Sequence, residues 1–102
     1  MALIPMEYDQ VGGGIIGENK SDNTQRSIAA NGVYTGSINV AKTGYTPMAV
    51  IPSAIFGTNG LCFFNQCYIS TSTTATIQIA NMYSAAQTVT SILIMVLYKK
   101  ND

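Results

Sequence analysis

The C-terminal segment SILIMVLYKK contains no polar residue from Ile92 to Leu97. A half-buried strand alternates apolar and polar residues, and an amphipathic helix places polar residues at every third or fourth position. This segment does neither. It is also too short to cross a bilayer, because a spanning helix needs roughly 20 apolar residues and a spanning barrel strand about 9–11 with one polar face. We therefore predict a β-strand that is apolar on both faces, without membrane insertion.

The two faces of this strand have different expected roles. The face that we expect to fill the core holds Ile92, Ile94, Val96 and Tyr98. The opposite face holds Leu93, Met95 and Leu97. Burying each of these large side chains is worth roughly 1.5–3 kcal/mol, and in water they would form an adhesive stripe. Either a loop or the N-terminal segment of the same chain covers them, or they are oligomer-interface residues, which is the reading that we favour.

The charge distribution favours the interface. Charged residues make up 10% of the chain, well below the roughly 25% of an average soluble domain. Between Thr43 and Tyr98 there is no Asp, Glu, Lys or Arg. A surface without charge must either interact with water through neutral polar side chains or be covered by other chains. Since five acidic and five basic residues cancel, we expect no nucleic-acid partner.

From Ser27 onward the sequence predicts short strands separated by turns. The segments with strand patterns are VYTGSINVAK, MAVIPSAIF, LCFFNQCYIS, TATIQIAN and TVTSILIMVLY. No stretch predicts a helix, and a parallel sheet needs crossover connections for which there is no room. Pro52 marks its strand as an edge or a bulge. We predict an all-β fold, an antiparallel β-sandwich of jelly-roll-like type, in residues 31–102.

Residues 1–30 differ from the remainder of the chain. Three consecutive glycines, Gly12 to Gly14, are mixed with charged residues and allow nearly any backbone path. We predict an extended N-terminal arm or linker that docks on a neighbouring subunit or another protein. The alternative is a poorly ordered chain end.

The residue types argue against catalysis. The chain has no His, which removes an imidazole base, Ser-His and Cys-His pairs and histidine metal sites. We predict no catalytic residues, no metal and no cofactor. On one continuous strand, Cys62 and Cys67 would point to opposite faces, so we predict two buried free thiols, typical of a protein made in a reducing cytoplasm. A hairpin between them is the alternative.

Surface recognition is the remaining kind of function. Six tyrosines and many neutral amides and hydroxyls offer the ring faces and hydrogen-bonding groups that suit uncharged sugars. Asn59, in the GTNG turn, and the loop residues Asn81 and Tyr83 are the candidate glycan contacts. A monomeric carbohydrate-binding module is therefore an alternative function.

The layout of residues 33–98 resembles a small C-terminal domain of bacteriophage fibre and baseplate proteins, especially from phages and prophages of gut Firmicutes. The resembling features are a strand leading into AKTGYTPMAVI, an aromatic strand ending CYIS, the strand TTATIQIAN and a final strand ending VLYKK. This resemblance implies a β-sandwich that forms a homotrimer on the virion, as a tail fibre, tail-tip component, head fibre or capsid decoration protein. It also implies a structural role on the particle and contact with the host envelope, where the polar and aromatic residues above suggest host-surface glycans as partners and the N-terminal arm suggests docking onto other virion proteins.

Overall fold

The computed structural model of the protein describes residues 14–101. Within this range it consists of eight β-strands and contains no helix. The strands are β1 (Ile15–Asp22), β2 (Arg26–Ile28), β3 (Val33–Asn39), β4 (Tyr45–Phe56), β5 (Cys62–Thr71), β6 (Thr74–Asn81), β7 (Gln87–Val89) and β8 (Ser91–Lys100). Every pairing between them is antiparallel. The prediction of an all-β, antiparallel fold is confirmed.

The strands form two three-stranded sheets and a short ribbon. The first sheet has the order β1-β8-β4, and the second has the order β3-β6-β5. The ribbon pairs β2 with β7. The C-terminal apolar strand is therefore the central strand of the first sheet, with a partner on each side.

One hydrophobic core collects the inward side chains of both sheets. Alternate residues of the two central strands are fully buried: Ile92, Ile94, Val96 and Tyr98 of β8, and Ala75, Ile77 and Ile79 of β6. Because side chains alternate across a strand, the patterns of β8 and β6 correctly predict which residues face this core. Each large member contributes roughly 1.5–3 kcal/mol through its burial.

Strand β4 is an edge strand with two irregularities. Its pairing with β8 shifts register between Pro47 and Ala49 and again between Pro52 and Ala54. Proline has no amide hydrogen for a sheet ladder and is confined to edges and bulges. The position predicted for Pro52 is confirmed.

The predicted arm over residues 1–30 is wrong for residues 15–22 and 26–28, which lie in β1 and β2. β1 pairs with β8 from Ile15 opposite Lys99 to Asp22 opposite Ile92, and β2 pairs with β7. The charges of IIGENKSD suggested a solvated segment, but β8 has a second edge whose amides and carbonyls need partners. Residues 1–13 of the predicted arm lie outside the described residues.

Different chain segments lie at the two ends of the strands. At the base end, the amide of Lys100 donates to the carbonyl of Gly14 at 2.9 Å. At the far end lie the turn at residues 57–60 and the loop at residues 82–86. There the amide of Met82 donates to the carbonyl of Leu61 at 2.9 Å.

Candidate functional site

The outer face of the first sheet is apolar over most of its length. Leu93, Met95 and Leu97 of β8 point away from the core. The register places side chains of β1 and β4 beside them. Together with Met48 at the first irregularity of β4, the apolar members of this surface, here called the apolar face, are Ile15, Gly17, Met48, Ala49, Ile51, Ala54, Phe56, Leu93, Met95 and Leu97. Polar residues of the same side lie along β1 and at the two ends: Asn19, Ser21, Thr46, Ser91 and Lys99.

The side chains of the apolar face are partly exposed to solvent. Met95 is 37% exposed, Ile51 47% and Phe56 49%, so nothing in residues 14–101 covers them. Leu97 and Met95 lean towards β1, where a methyl group built on Gly17 would lie 3.5 Å from both side chains. The predicted placement of Leu93, Met95 and Leu97 opposite the core agrees with the structure, whereas contact between copies at these residues stays a prediction.

Charge is collected at one long edge, between β1 and β3, rather than on the apolar face. Lys42 and Lys20 contact the carboxylate of Glu18 at 2.5 and 3.3 Å. The hydrogen bond from Lys42 holds the pKa of Glu18 below its usual value. Glu18 and Lys20 share the inward side of β1, and Lys42 reaches them from the connection between β3 and β4.

A second ion pair lies farther along the same edge. Arg26 contacts Asp22 at 2.8 Å, and its guanidinium carbon lies 4.5 Å from the centroid of the Tyr34 ring, in range for a cation–π contact. Burial acts to raise the pKa of Asp22, but hydrogen bonds from Thr24 and Arg26 outweigh it, and the pKa lies below its usual value. These ion pairs lie along the edge between β1 and β3. On the outer side of the first sheet, the charged residue is Lys99.

The outer face of the second sheet is polar and uncharged. β3, β5 and β6 contain no Asp, Glu, Lys or Arg. Their outward residues are mainly Thr, Ser, Gln and Asn, with the rings of Phe63 and Tyr68 about half exposed. The two outer faces of the molecule are therefore chemically unlike: one is apolar, and the other carries hydroxyls, amides and aromatic rings.

Asn81 is not a surface residue, and its prediction as a glycan contact is wrong. Its side chain is fully buried. The amide nitrogen donates to the carbonyls of Ile28, Ala29 and Ala85 at 3.0–3.1 Å, and the amide oxygen accepts from the backbone of Tyr83 at 2.9 Å. Because all of its polar atoms are bonded within the chain, none is free for a sugar. The alternation that buries Ile77 and Ile79 also turns Asn81 inward.

The other two glycan candidates both lie at the far end but have different partners. Asn59 is exposed, and its backbone amide donates to the side chain of Gln87 at 3.2 Å. Tyr83 is half buried, and its carbonyl accepts from the amide of Asn31 at 3.2 Å. Sugar contact by Asn59 and Tyr83 stays a prediction. Asn81 is no longer part of the candidate site.

The two cysteines lie on the same face of β5, contrary to the prediction of opposite faces. The pairing of β5 with β6 shifts register between Phe64 and Gln66, and a bulge of this kind adds one residue and reverses the alternation. Cys62 and Cys67 both contact the core as free thiols. Burial raises the pKa of both thiols, which reduces the reactive thiolate fraction.

Residues 14–101 contain neither a candidate metal site nor a membrane-spanning helix. No group of three or more His, Cys, Asp or Glu side chains is placed to hold a metal ion there. The same residues include no helix that is long and apolar enough to span a membrane.

Comparisons of the chain with protein-family models, with curated proteins and with solved structures find no match. The resemblance to phage fibre domains thus stays a prediction.

Proposed function

We propose that this chain is a non-enzymatic structural and adhesion protein of a bacteriophage virion, made in the host cytoplasm. Its two sheets act as a jelly-roll-like β-sandwich that forms a homotrimer. The apolar faces of three copies surround the three-fold axis, and the assembly serves as a fibre, a tail-tip component or a capsid-surface protein. The observation that carries this proposal is the apolar face, which no part of residues 14–101 covers.

The size of the apolar face fits a functional surface of the molecule. Ten residues of strand β8 at about 3.3 Å per residue and three strands at about 4.8 Å spacing give a sheet area on the order of 450 Å². The largest apolar patch of a typical monomer is about 300–600 Å² and is often functional. Around a three-fold axis, the β1 side of one copy would meet the β4 side of the next, because cyclic assemblies use two different surfaces of each copy.

The positions of the two ends support a direction for the assembly. Gly14, the first residue that the structure describes, lies at the base end beside Lys100. Asn59 and Tyr83 lie at the far end. We assign docking onto other virion proteins to the base end and contact with the host surface, including its glycans, to the remainder of the surface.

A monomeric carbohydrate-binding module is the second candidate function. It is favoured by the outer face of the second sheet, which is uncharged and carries two half-exposed aromatic rings. The two candidates differ in what covers the apolar face: other copies in the first, and solvent in the second.

Sedimentation velocity of the full chain, over a wide concentration range, separates the two candidates. A species three times the 10.9 kDa chain mass is expected for the virion protein. A single monomeric species at every concentration would contradict the trimer and favour the module. Immunogold labelling of phage particles from the strain that carries the gene tests the location, and particles without label would contradict a virion protein.

A further inference from the structure

The outer face of the second sheet is organised in rows across its three strands. The pairing register defines one apolar row, one amide row and one hydroxyl-rich row from the far end towards the base end. The rows are Phe63–Ala80–Val33, then Gln66–Gln78–Thr35, then Tyr68–Thr76–Ser37. An aromatic ring from β5 thus lies on each side of the amide row.

The central row is held in place by side-chain hydrogen bonds. The amide nitrogen of Asn65, at the bulge of β5, donates to the amide oxygen of Gln78. The amide nitrogen of Gln78 in turn donates to the hydroxyl of Thr35 at 3.2 Å. These bonds join all three strands and fix the orientation of Gln78. Polar groups that are already ordered lose less conformational entropy when a ligand binds.

The two aromatic side chains are exposed and separated along the strand. Phe63 is 52% exposed and Tyr68 is 48% exposed. Their partners on β6, Ala80 and Thr76, are four residues apart, so the rings lie roughly 13 Å apart at the usual rise of a strand. That separation is too large for one sugar ring and suits a chain of several.

We propose that the outer face of the second sheet binds a neutral oligosaccharide chain. The inference rests on the proposed function in one respect: with the apolar faces covered by other copies, this face stays on the outside of the assembly. Phe63 and Tyr68 stack on the apolar faces of two sugar rings. Gln66 and Gln78 bond the hydroxyls between them.

The chemistry of the face selects this ligand class. A sugar ring is apolar on its faces and carries hydroxyls around its rim, which matches aromatic rows on either side of an amide row. Asn and Gln side chains donate and accept hydrogen bonds, as hydroxyl groups do. An anionic ligand would find no cation on β3, β5 or β6. The proposed ligand is therefore uncharged.

Isothermal titration of the full chain with four soluble hexaoses tests the proposal. The probes are maltohexaose, cellohexaose, mannohexaose and the β-1,4-linked hexaose of N-acetylglucosamine. At least one is expected to bind, and Phe63→Ala and Tyr68→Ala are each expected to weaken that binding about tenfold, as the loss of one stacked ring implies. Tyr68→Phe retains the ring and is expected to bind within about twofold of the unchanged chain.

Ser72→Ala, in the exposed turn between β5 and β6, is the control and is expected to leave binding unchanged. No binding of any probe at millimolar concentration would overturn the proposal. Binding that survives the double change Phe63→Ala and Tyr68→Ala would place the sugar elsewhere and overturn it too. Sedimentation of the same samples keeps the two proposals apart: a trimer that binds no sugar contradicts this face alone, and a monomer that binds sugar contradicts the trimer alone.

Discussion

The hydroxyl of Tyr98 donates a hydrogen bond of 2.7 Å to the carbonyl oxygen of Val40, a residue 58 positions earlier in the chain. Both residues are fully buried. Tyr98 belongs to the central strand of the first sheet, and Val40 directly follows β3 of the second. The backbone of Val40 also donates to the carbonyl of Thr73 at 2.9 Å. One hydroxyl thus connects the two sheets at the base end of the hydrophobic core.

Tyr98→Phe tests how much this hydrogen bond contributes to the free energy of unfolding. The substitution leaves the carbonyl of Val40 buried without its partner, and a buried unsatisfied group costs about 1–3 kcal/mol. We expect the free energy of unfolding, measured in urea, to fall by about that amount. Tyr68→Phe, on the exposed outer face, is the matched control and is expected to change it by less than about 0.5 kcal/mol. Equal values for the two variants would show that the buried hydroxyl contributes nothing special.

The same tyrosine predicts a dependence of stability on alkaline pH. Burial raises the pKa of the Tyr98 hydroxyl, so the folded chain holds this proton more tightly than the unfolded chain does. Its contribution is fully present below about pH 10, the usual tyrosine pKa, and is lost as pH rises through the raised value. Urea unfolding between pH 8 and pH 11.5 should therefore show a steeper alkaline loss for the unchanged chain than for Tyr98→Phe. Parallel pH curves would contradict this assignment.

The faces of the central strands were predictable because their signal is local. In β6, strict alternation identifies Ile77 and Ile79 as core residues, and in β8 the same rule separates Ile94 from Met95. Applied to the last residue of β6, the same alternation also predicts that Asn81 faces the core. Asparagine is common in turns, which favours a loop at Asn81, and the polarity of a residue does not reveal that four backbone groups surround it.

Other features depend on contacts that are distant in sequence. Nothing local in IIGENKSD distinguishes a solvated arm from a strand that completes the free edge of β8, because the partner lies near the other end of the chain. The bulge at Asn65 likewise depends on how β5 aligns with β6. A shift of one residue exchanges the two faces of a strand, so this single bulge decides where Cys67 points.

The amide of Asn81 is expected to be a strong determinant of stability. Asn81→Ala removes a donor from the carbonyls of Ile28 and Ala85 and an acceptor from the amide of Tyr83. We expect a loss of about 1–3 kcal/mol or more, since each buried unsatisfied group costs about that amount. Asn59→Ala, at an exposed turn, is the control and should stay within about 0.5 kcal/mol. A similar small effect at both positions would contradict the assigned role.

Asn81→Asp provides a sharper version of the same test. The substitution is nearly isosteric, but the ionised carboxylate cannot donate and would face three carbonyl oxygens in a buried site. We expect Asn81→Asp to be less stable than Asn81→Ala at neutral pH, because an unpaired buried charge is costlier than an absent group. Thermal unfolding of the two variants, followed by circular dichroism, measures the order. The reverse order would show that the site is more open to water than the structure indicates.

Met95→Lys tests whether copies meet at the apolar face. In a single copy Met95 is 37% exposed, so a lysine there can reach water and the chain should remain folded. In an assembly the same charge would be buried without a partner, which is strongly unfavourable. We expect sedimentation velocity to show a folded monomer for Met95→Lys and a trimer for the unchanged chain. The control is Met82→Lys, at a far-end position that is 64% exposed, and it should remain trimeric. A Met95→Lys trimer with an unchanged melting temperature would reject the apolar face as the subunit interface.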